Sequence, residues 1–184
     1  MKTCSKIFEG LAMGGNVIGK GIIAGFAGTV AITLSQMIEM KITKRSMSKA
    51  PVIVGGNTLG VEPKGLADVE REKAKSGNEE PPQELQKKKD AYEERFSQFM
   101  HFGYGTGWGI CRGALDLMGI RGTKASLIHF GGIWAAEQIM LPANKVSEPI
   151  TKWSAKEIAV DALHHAVYAF AAGLVYDAMR KTNK

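Results

Sequence analysis

Residues 158–179, IAVDALHHAVYAFAAGLVYDAM, read as an apolar helix carrying a polar stripe. At about 100° per residue, Asp161, His165, Tyr168, Ala172 and Tyr176 fall on one side, with His164 at the edge. Leu163, Ala166, Val167, Phe170 and Leu174 fall on the other. Between Ala162 and Tyr176 there is no Lys, Arg, Asp or Glu to offer to water. The polar side is therefore expected to be the buried one, and the aliphatic side to face lipid.

Earlier segments repeat the pattern. Gly21 to Ile38 runs without a charge and reaches the length usual for a spanning helix. Gly25, Thr29, Ile32, Thr33, Gln36 and Glu39 share one side of it. Gly21 and Gly25, like Ala24 and Gly28, are four apart, a spacing that lets helix backbones approach closely. Residues 96–111, FSQFMHFGYGTGWGIC, are again uncharged. Their alternating glycines lack the preceding strand and Lys-Ser/Thr pair of a phosphate loop. Read as a helix, Gly105, Gly109 and Gly113 make a smooth ridge, with His101, Tyr104, Trp108 and Arg112 close to it. Arg112 at lipid depth should face a carboxylate, and Asp116, one turn on, is the nearest. After a turn at 119–123, a third helix holds His129 and Glu137 and ends at Pro142. Ser154, with Glu157 three residues on, forms a capping-box pattern that opens the last helix.

These elements predict an all-α fold: a four-helix transmembrane bundle with helices near 17–39, 97–119, 124–141 and 155–179. Residues 1–184 make a single helical membrane domain, in which 40–96 is a polar connecting segment. That segment reads as basic and Gly/Pro-bearing at first, then as two exposed helical pieces about a flexible joint at Ser76 to Pro82. Residues 1–20 read as an amphipathic or irregular lead-in broken by Gly14, Gly15 and Gly19. Lys and Arg counts over the connections put 40–96 and 143–157 on the cytoplasmic side and both termini outside.

Composition changes this picture in one respect. The chain-wide mean hydropathy is low for a membrane protein, because the charged central segment dilutes apolar windows. Arg112, Glu137 and Asp161 also interrupt three of the four spans, so a soluble helical interaction module is the rival architecture. The net charge of +6 comes from scattered Lys and Arg with no aromatic-interleaved basic patch, so nucleic acid is not expected as a partner. Cys4 and Cys111 form no C-x-x-C pair and read as free thiols.

The candidate polar core is Glu39, His101, Tyr104, Arg112, Asp116, His129, Glu137, Asp161, His164, His165, Tyr168 and Tyr176. Ionisable groups at membrane depth are expensive, and each is a hypothesis about function. Such a track suits the passage or sensing of protons or a small solute. The alternative is a metal or haem site, with His101, His129, Asp161, His164 and His165 as candidate ligands and Asp161-x-x-His164 as half of a carboxylate–histidine pair. A third account has the groups satisfying one another and fixing helix register. No nucleophile elbow is present and no catalytic residue is assigned. The cofactor is left open; the expected partners are the lipid bilayer and, in a homo-oligomer, further copies of the chain.

The runs HFGYGTGWGICRG, HFGGIWAAEQIMLP and DALHHAVYAFAAGLVYD, with the lead span TLSQMIEMKITKR, resemble a group of small bacterial multi-pass integral-membrane proteins with no assigned function. The resemblance covers most of the chain outside 65–95. It implies a helical fold and a place in the bacterial cytoplasmic (inner) membrane. It transfers no catalytic or binding residue.

Overall fold

The computed structural model describes residues 2–46, 48–63, 65–76 and 83–182, with the backbone alone for 2–13 and 76. Among the described residues there are six α-helices and no strand. They are α1 (Lys2–Thr43), α2 (Ala50–Leu59), α3 (Leu66–Ser76), α4 (Gln83–Leu117), α5 (Gly122–Ala143) and α6 (Ala155–Lys181), with a 3-10 turn at Ile150–Lys152.

The helices are longer than the apolar windows that predict them. Gly14, Gly15 and Gly19 lie inside α1 and do not break it. An interior glycine costs only about 1 kcal/mol relative to alanine, little against the tertiary packing of a 42-residue helix. The charged run before Phe96 is no separate piece, since α4 continues unbroken from Gln83 to Leu117. Strong helix formers fill that stretch and no Gly or Pro intervenes until Gly103. The sequence reading also passed over α2. Its signals are Pro51 in the first turn, the Ser48 hydroxyl accepting from the Ala50 N–H at 3.1 Å, and a left-handed C-cap at Gly60 with φ 62°. Beyond Ser76, the joint expected at 76–82 lies outside the described residues.

The connecting segment folds back on the first half of α4. Gly55 lies under Met100 and Phe96, Gly65 under the Tyr92 ring, and Lys49 Nζ pairs with Glu93 at 2.8 Å. The second half of α4 joins α1, α5 and α6. α1 packs mainly on α4 and α6, and α5 mainly on α6. Contacts fix the directions. Val17, Gly25 and Thr33 of α1 meet Gly113, Gly109 and His101 of α4, so these helices are antiparallel. Ser126 and Trp134 of α5 meet Gly173 and Asp161 of α6, again antiparallel. The C-terminal ends of α1 and α5 and the start of α6 therefore share one end of the bundle, and the 118–121 turn and the end of α6 share the other.

The α1–α4 contact is made by the two glycine ridges. A Cβ at Gly21 would lie 2.7 Å from the Gly109 carbonyl oxygen, and one at Gly109 would lie 2.5 Å from Gly25 Cα. Gly105 sits directly against Thr29. The expected close approach of small residues is thus what holds α1 to α4.

The interior holds an apolar cluster around Ala24, Ile32, Ile133 and Ala169 with several polar side chains enclosed beside it, while many large aliphatic side chains lie outside. Arg112 is 0% exposed, and Thr29, His129 and His164 are buried. Ile22, Ile23, Phe26, Leu34, Leu163 and Leu174 lie outside, Leu174 at 73% exposure. The aliphatic side of α6 faces outward and Tyr168, Ala172 and Tyr176 face inward, as the stripe predicts. Gly14–Thr43 and Ala155–Lys181 are long and apolar enough to cross a membrane.

Candidate functional site: a carboxylate and histidine centre

The start of α6 sets the phase of everything that follows on it. The Ser154 hydroxyl accepts from the Glu157 N–H, and the Glu157 carboxylate accepts from the Ser154 N–H at 2.7 Å, completing the capping box. From that start Asp161 and His165, four apart, project from one face. On α5, Trp134, Glu137 and Gln138 share a face by the same spacing. The two faces meet.

His165 lies between two carboxylates. Its Nε2 is 2.9 Å from Glu137 Oε2 and its Nδ1 is 3.8 Å from Asp161 Oδ1. Nδ1 also bonds the Asp161 backbone carbonyl at 2.9 Å. A carbonyl and a carboxylate only accept, so Nδ1–H donates to the Asp161 carbonyl and Nε2–H donates to Glu137, which makes the ring an imidazolium paired with that carboxylate. Asp161 Oδ2 accepts from Trp134 Nε1–H at 2.8 Å and Gln138 Nε2–H at 3.3 Å. These donors fix the carboxylate's orientation and leave Oδ1 turned to the imidazole. The side chains of His165, Glu137 and Asp161 are 12%, 19% and 23% exposed, so the centre is enclosed but reachable.

The other rings each bond elsewhere through one nitrogen, and His129 Nδ1 and His164 Nε2 are buried without a hydrogen-bond partner. His101 Nε2 meets Thr33 Oγ1 at 3.2 Å. That hydroxyl already donates to the Thr29 carbonyl, so the imidazole is the donor. His164 Nδ1 meets Ser35 Oγ at 2.8 Å, and His129 Nε2–H donates to the Trp108 carbonyl at 2.9 Å. Of the five candidate metal ligands, only Asp161 and His165 come together, joined by Glu137. The Asp161–His164 pair is not formed: one residue is 100° of helix, and it turns His164 toward α1 instead. Axial haem ligation through Nε2 would deprive His101 and His129 of their present partners, whereas His164 bonds Ser35 through Nδ1 and its Nε2 is buried without one.

A second polar cluster lies toward the opposite end. Arg112 Nη2 pairs with Asp177 Oδ1 at 2.6 Å, and its guanidinium lies 4.7 Å from the Tyr176 ring centroid. The expected Arg112–Asp116 pair is therefore replaced. Asp116 instead takes Arg121 at 2.7 Å and the Tyr176 hydroxyl at 3.3 Å. Arg112 reaches across to α6 because its own helix turns Asp116 toward the 118–121 turn. Between the clusters, the Tyr168 hydroxyl donates to the Gly105 carbonyl at 2.5 Å.

Two further predicted core residues, Glu39 and Tyr104, lie at the margin of the bundle. Glu39 is near the end of α1, paired with Arg45 at 2.9 Å. Tyr104 is 45% exposed, edge-on to Trp108, because the ridge that packs on α1 is the glycine side of α4 and Tyr104 stands beside it. The sequence reading missed Trp134, Gln138 and Asp177. The first two were legible from their spacing around Glu137. Asp177 stands about 100° from Tyr176 on α6, off the stripe, and only the need to pair Arg112 pointed to it.

Neither a family model, nor a curated protein, nor a solved structure matches the chain.

Proposed function

We propose that the chain is a small multi-pass protein of the bacterial cytoplasmic membrane. In this reading α1, α4 from about residue 97, α5 and α6 all span, and the Glu137–Asp161–His165 centre senses a cation reaching it from one face. The observation that carries this reading is the many large aliphatic side chains outside together with Arg112 fully buried and a partly enclosed ionisable centre. A helix bundle in water gains nothing from exposing Leu174 and Ile23 while enclosing Arg112. The glycines of α4 and the few charges of α4 and α5 lower their apolarity, yet the same two helices supply the buried polar partners. Such groups are tolerated at lipid depth when they face the bundle.

One-sided sensing is favoured over passage. With Tyr168 at the middle of α6, His165 stands about 4.5 Å and Asp161 about 10 Å toward the end bearing the start of α6, at 1.5 Å per residue. Beyond that level the interior closes: Ala24, Thr29, Ala125, Ala169 and Ala172 are each 0% exposed. Further on stands the Arg112 guanidinium, a positive barrier to any cation. Two surface hollows, of about 260 Å³ beside Lys20 and Arg121 and about 480 Å³ beside Phe99 and Trp108, are not lined by the centre.

Membranes from cells expressing the full chain should retain it through a carbonate wash, and purification should require detergent. Reconstituted vesicles should hold a proton gradient as long as protein-free ones. Trp134, whose indole holds Asp161, should change its emission when protons, Zn(II) or Mn(II) are added. Release by carbonate would overturn the membrane reading; a collapsing gradient would replace sensing by conduction.

A further inference from the structure

We propose that Glu137, Asp161 and His165 form a binding site for one divalent transition-metal ion of the Mn(II), Fe(II) or Zn(II) kind. The proposal rests on the reading of this centre as a cation site and names the cation.

The first observation is the donor set. One oxygen from each carboxylate and one ring nitrogen lie within 4.8 Å of one another, the only such group of three or more among the described residues. They come from two helices that face each other, the way sites in helical bundles are built. Two oxygens and one imidazole nitrogen suit Mn, Fe or Zn. The set lacks the sulfur that Cu(I) prefers and the all-oxygen shell that Ca(II) prefers.

The second observation is the shell behind the donors. A ligating imidazole usually gives its other N–H to a carbonyl or carboxylate, which fixes the ring and its tautomer. His165 does this through Nδ1 to the Asp161 carbonyl at 2.9 Å, so that a metal ion replacing the Nε2 proton would find the nitrogen already aimed at Glu137. Asp161 is held by Trp134 and Gln138, which occupy Oδ2 and leave Oδ1 without such a donor, 3.8 Å from His165 Nδ1.

The third argument is charge. Glu137 Oε2 and Nε2 stand 2.9 Å apart, a separation that a proton bridges and that a metal ion bound to both atoms would also span. A proton there leaves two carboxylates against one imidazolium, a net −1 at membrane depth. A divalent ion with neutral imidazole leaves a net charge of zero, and a low-dielectric site disfavours uncompensated charge. The partial exposure of both carboxylates gives the ion a way in and leaves room for water to complete its coordination.

The test uses the untagged full chain in detergent, stripped with chelator and dialysed against Zn(II), Mn(II), Ca(II) or Mg(II), with bound metal measured by mass spectrometry. One Zn(II) or Mn(II) per chain is expected, with no retained Ca(II) or Mg(II). Glu137→Gln, Asp161→Asn and His165→Gln should each weaken binding at least 10-fold, and Trp134→Phe by about 10-fold through loss of carboxylate orientation. Glu148→Gln, a surface change, should leave binding as it is. Co(II) added to the wild-type chain should give visible bands of nitrogen and oxygen ligation, a readout that does not depend on the variants folding. A folded, detergent-dependent chain that retains no metal would overturn the site and leave the membrane reading standing. Stoichiometric metal on a chain that needs no detergent would do the reverse. Zn(II) binding unchanged across the three variants would place it elsewhere and overturn the proposal.

Discussion

Alanine at Gly109 should weaken the bundle, whereas alanine two residues earlier, at Gly107, should not. Both glycines lie inside α4, and both substitutions gain about 1 kcal/mol of helix propensity. At Gly107 nothing lies within 4 Å of the new methyl, so that gain stands alone. At Gly109 the methyl would overlap the Gly21 carbonyl oxygen and lie 2.5 Å from both Gly25 Cα and Gly25 N. These are backbone atoms on the facing helix, so no rotamer change relieves the overlap and α1 must move away. Overpacking by one methyl costs about 1–3 kcal/mol, and unyielding backbone puts this case at about 3. The net expectation is Gly109→Ala less stable than wild type by about 2 kcal/mol and Gly107→Ala more stable by up to about 1. The gap of about 3 kcal/mol corresponds to about 6–12 °C in midpoint for a chain of this size. Thermal and denaturant unfolding of both variants in the same detergent, followed by far-ultraviolet circular dichroism, measures it. Equal stability of the two variants would refute the packing of α1 on α4 through facing glycines, and with it the placement of the polar stripe of α1 inside the bundle.

Four further expectations follow from the same contacts. Asp177→Asn leaves the Arg112 guanidinium buried without its countercharge and should destabilise the chain by about 3 kcal/mol in the same unfolding assay; adding Arg112→Leu should recover part of that loss. His165→Gln and Glu137→Gln should be coupled by about 1 kcal/mol or more in a double-mutant cycle, and additive losses would show that the two side chains do not act together. Ser154→Ala removes the capping box and should cost about 1 kcal/mol, read from the unfolding midpoint. Cys111 is a free, exposed thiol on α4. If α4 spans as proposed, then in a Cys4→Ser background this thiol should react in intact membranes with an uncharged maleimide and resist a charged one, and rapid labelling by the charged reagent would overturn a spanning α4.

How much of this was legible beforehand depends on which neighbour each residue needed. Everything governed by position along one helix could be read from the residue order. The stripe of Asp161, His165, Tyr168, Ala172 and Tyr176, the outward Leu163 and Leu174, the cap at Ser154 and the ridge of Gly105, Gly109 and Gly113 all follow from a period of 3.6 residues and short-range hydrogen bonding. Helix extent was less legible, because apolar windows mark where a helix is buried and not where it ends; α1 and α4 run well past theirs. Partners across helices were not legible. Periodicity gives each residue an angle about its own axis but no angle between axes, so Arg112 was matched to Asp116 on its own helix when its partner is Asp177 on α6. For the same reason His164 and His165, adjacent in sequence, turn to α1 and α5 respectively, and Glu137 finds His165 from a helix begun more than thirty residues earlier. The residue order alone predicted which face of α6 turns inward at Tyr168, Ala172 and Tyr176. Which polar groups meet, and hence that two carboxylates close on one imidazole, was decided only when the glycine contacts of α1 and α4 and the antiparallel packing of α5 on α6 fixed the helices in rotation and register.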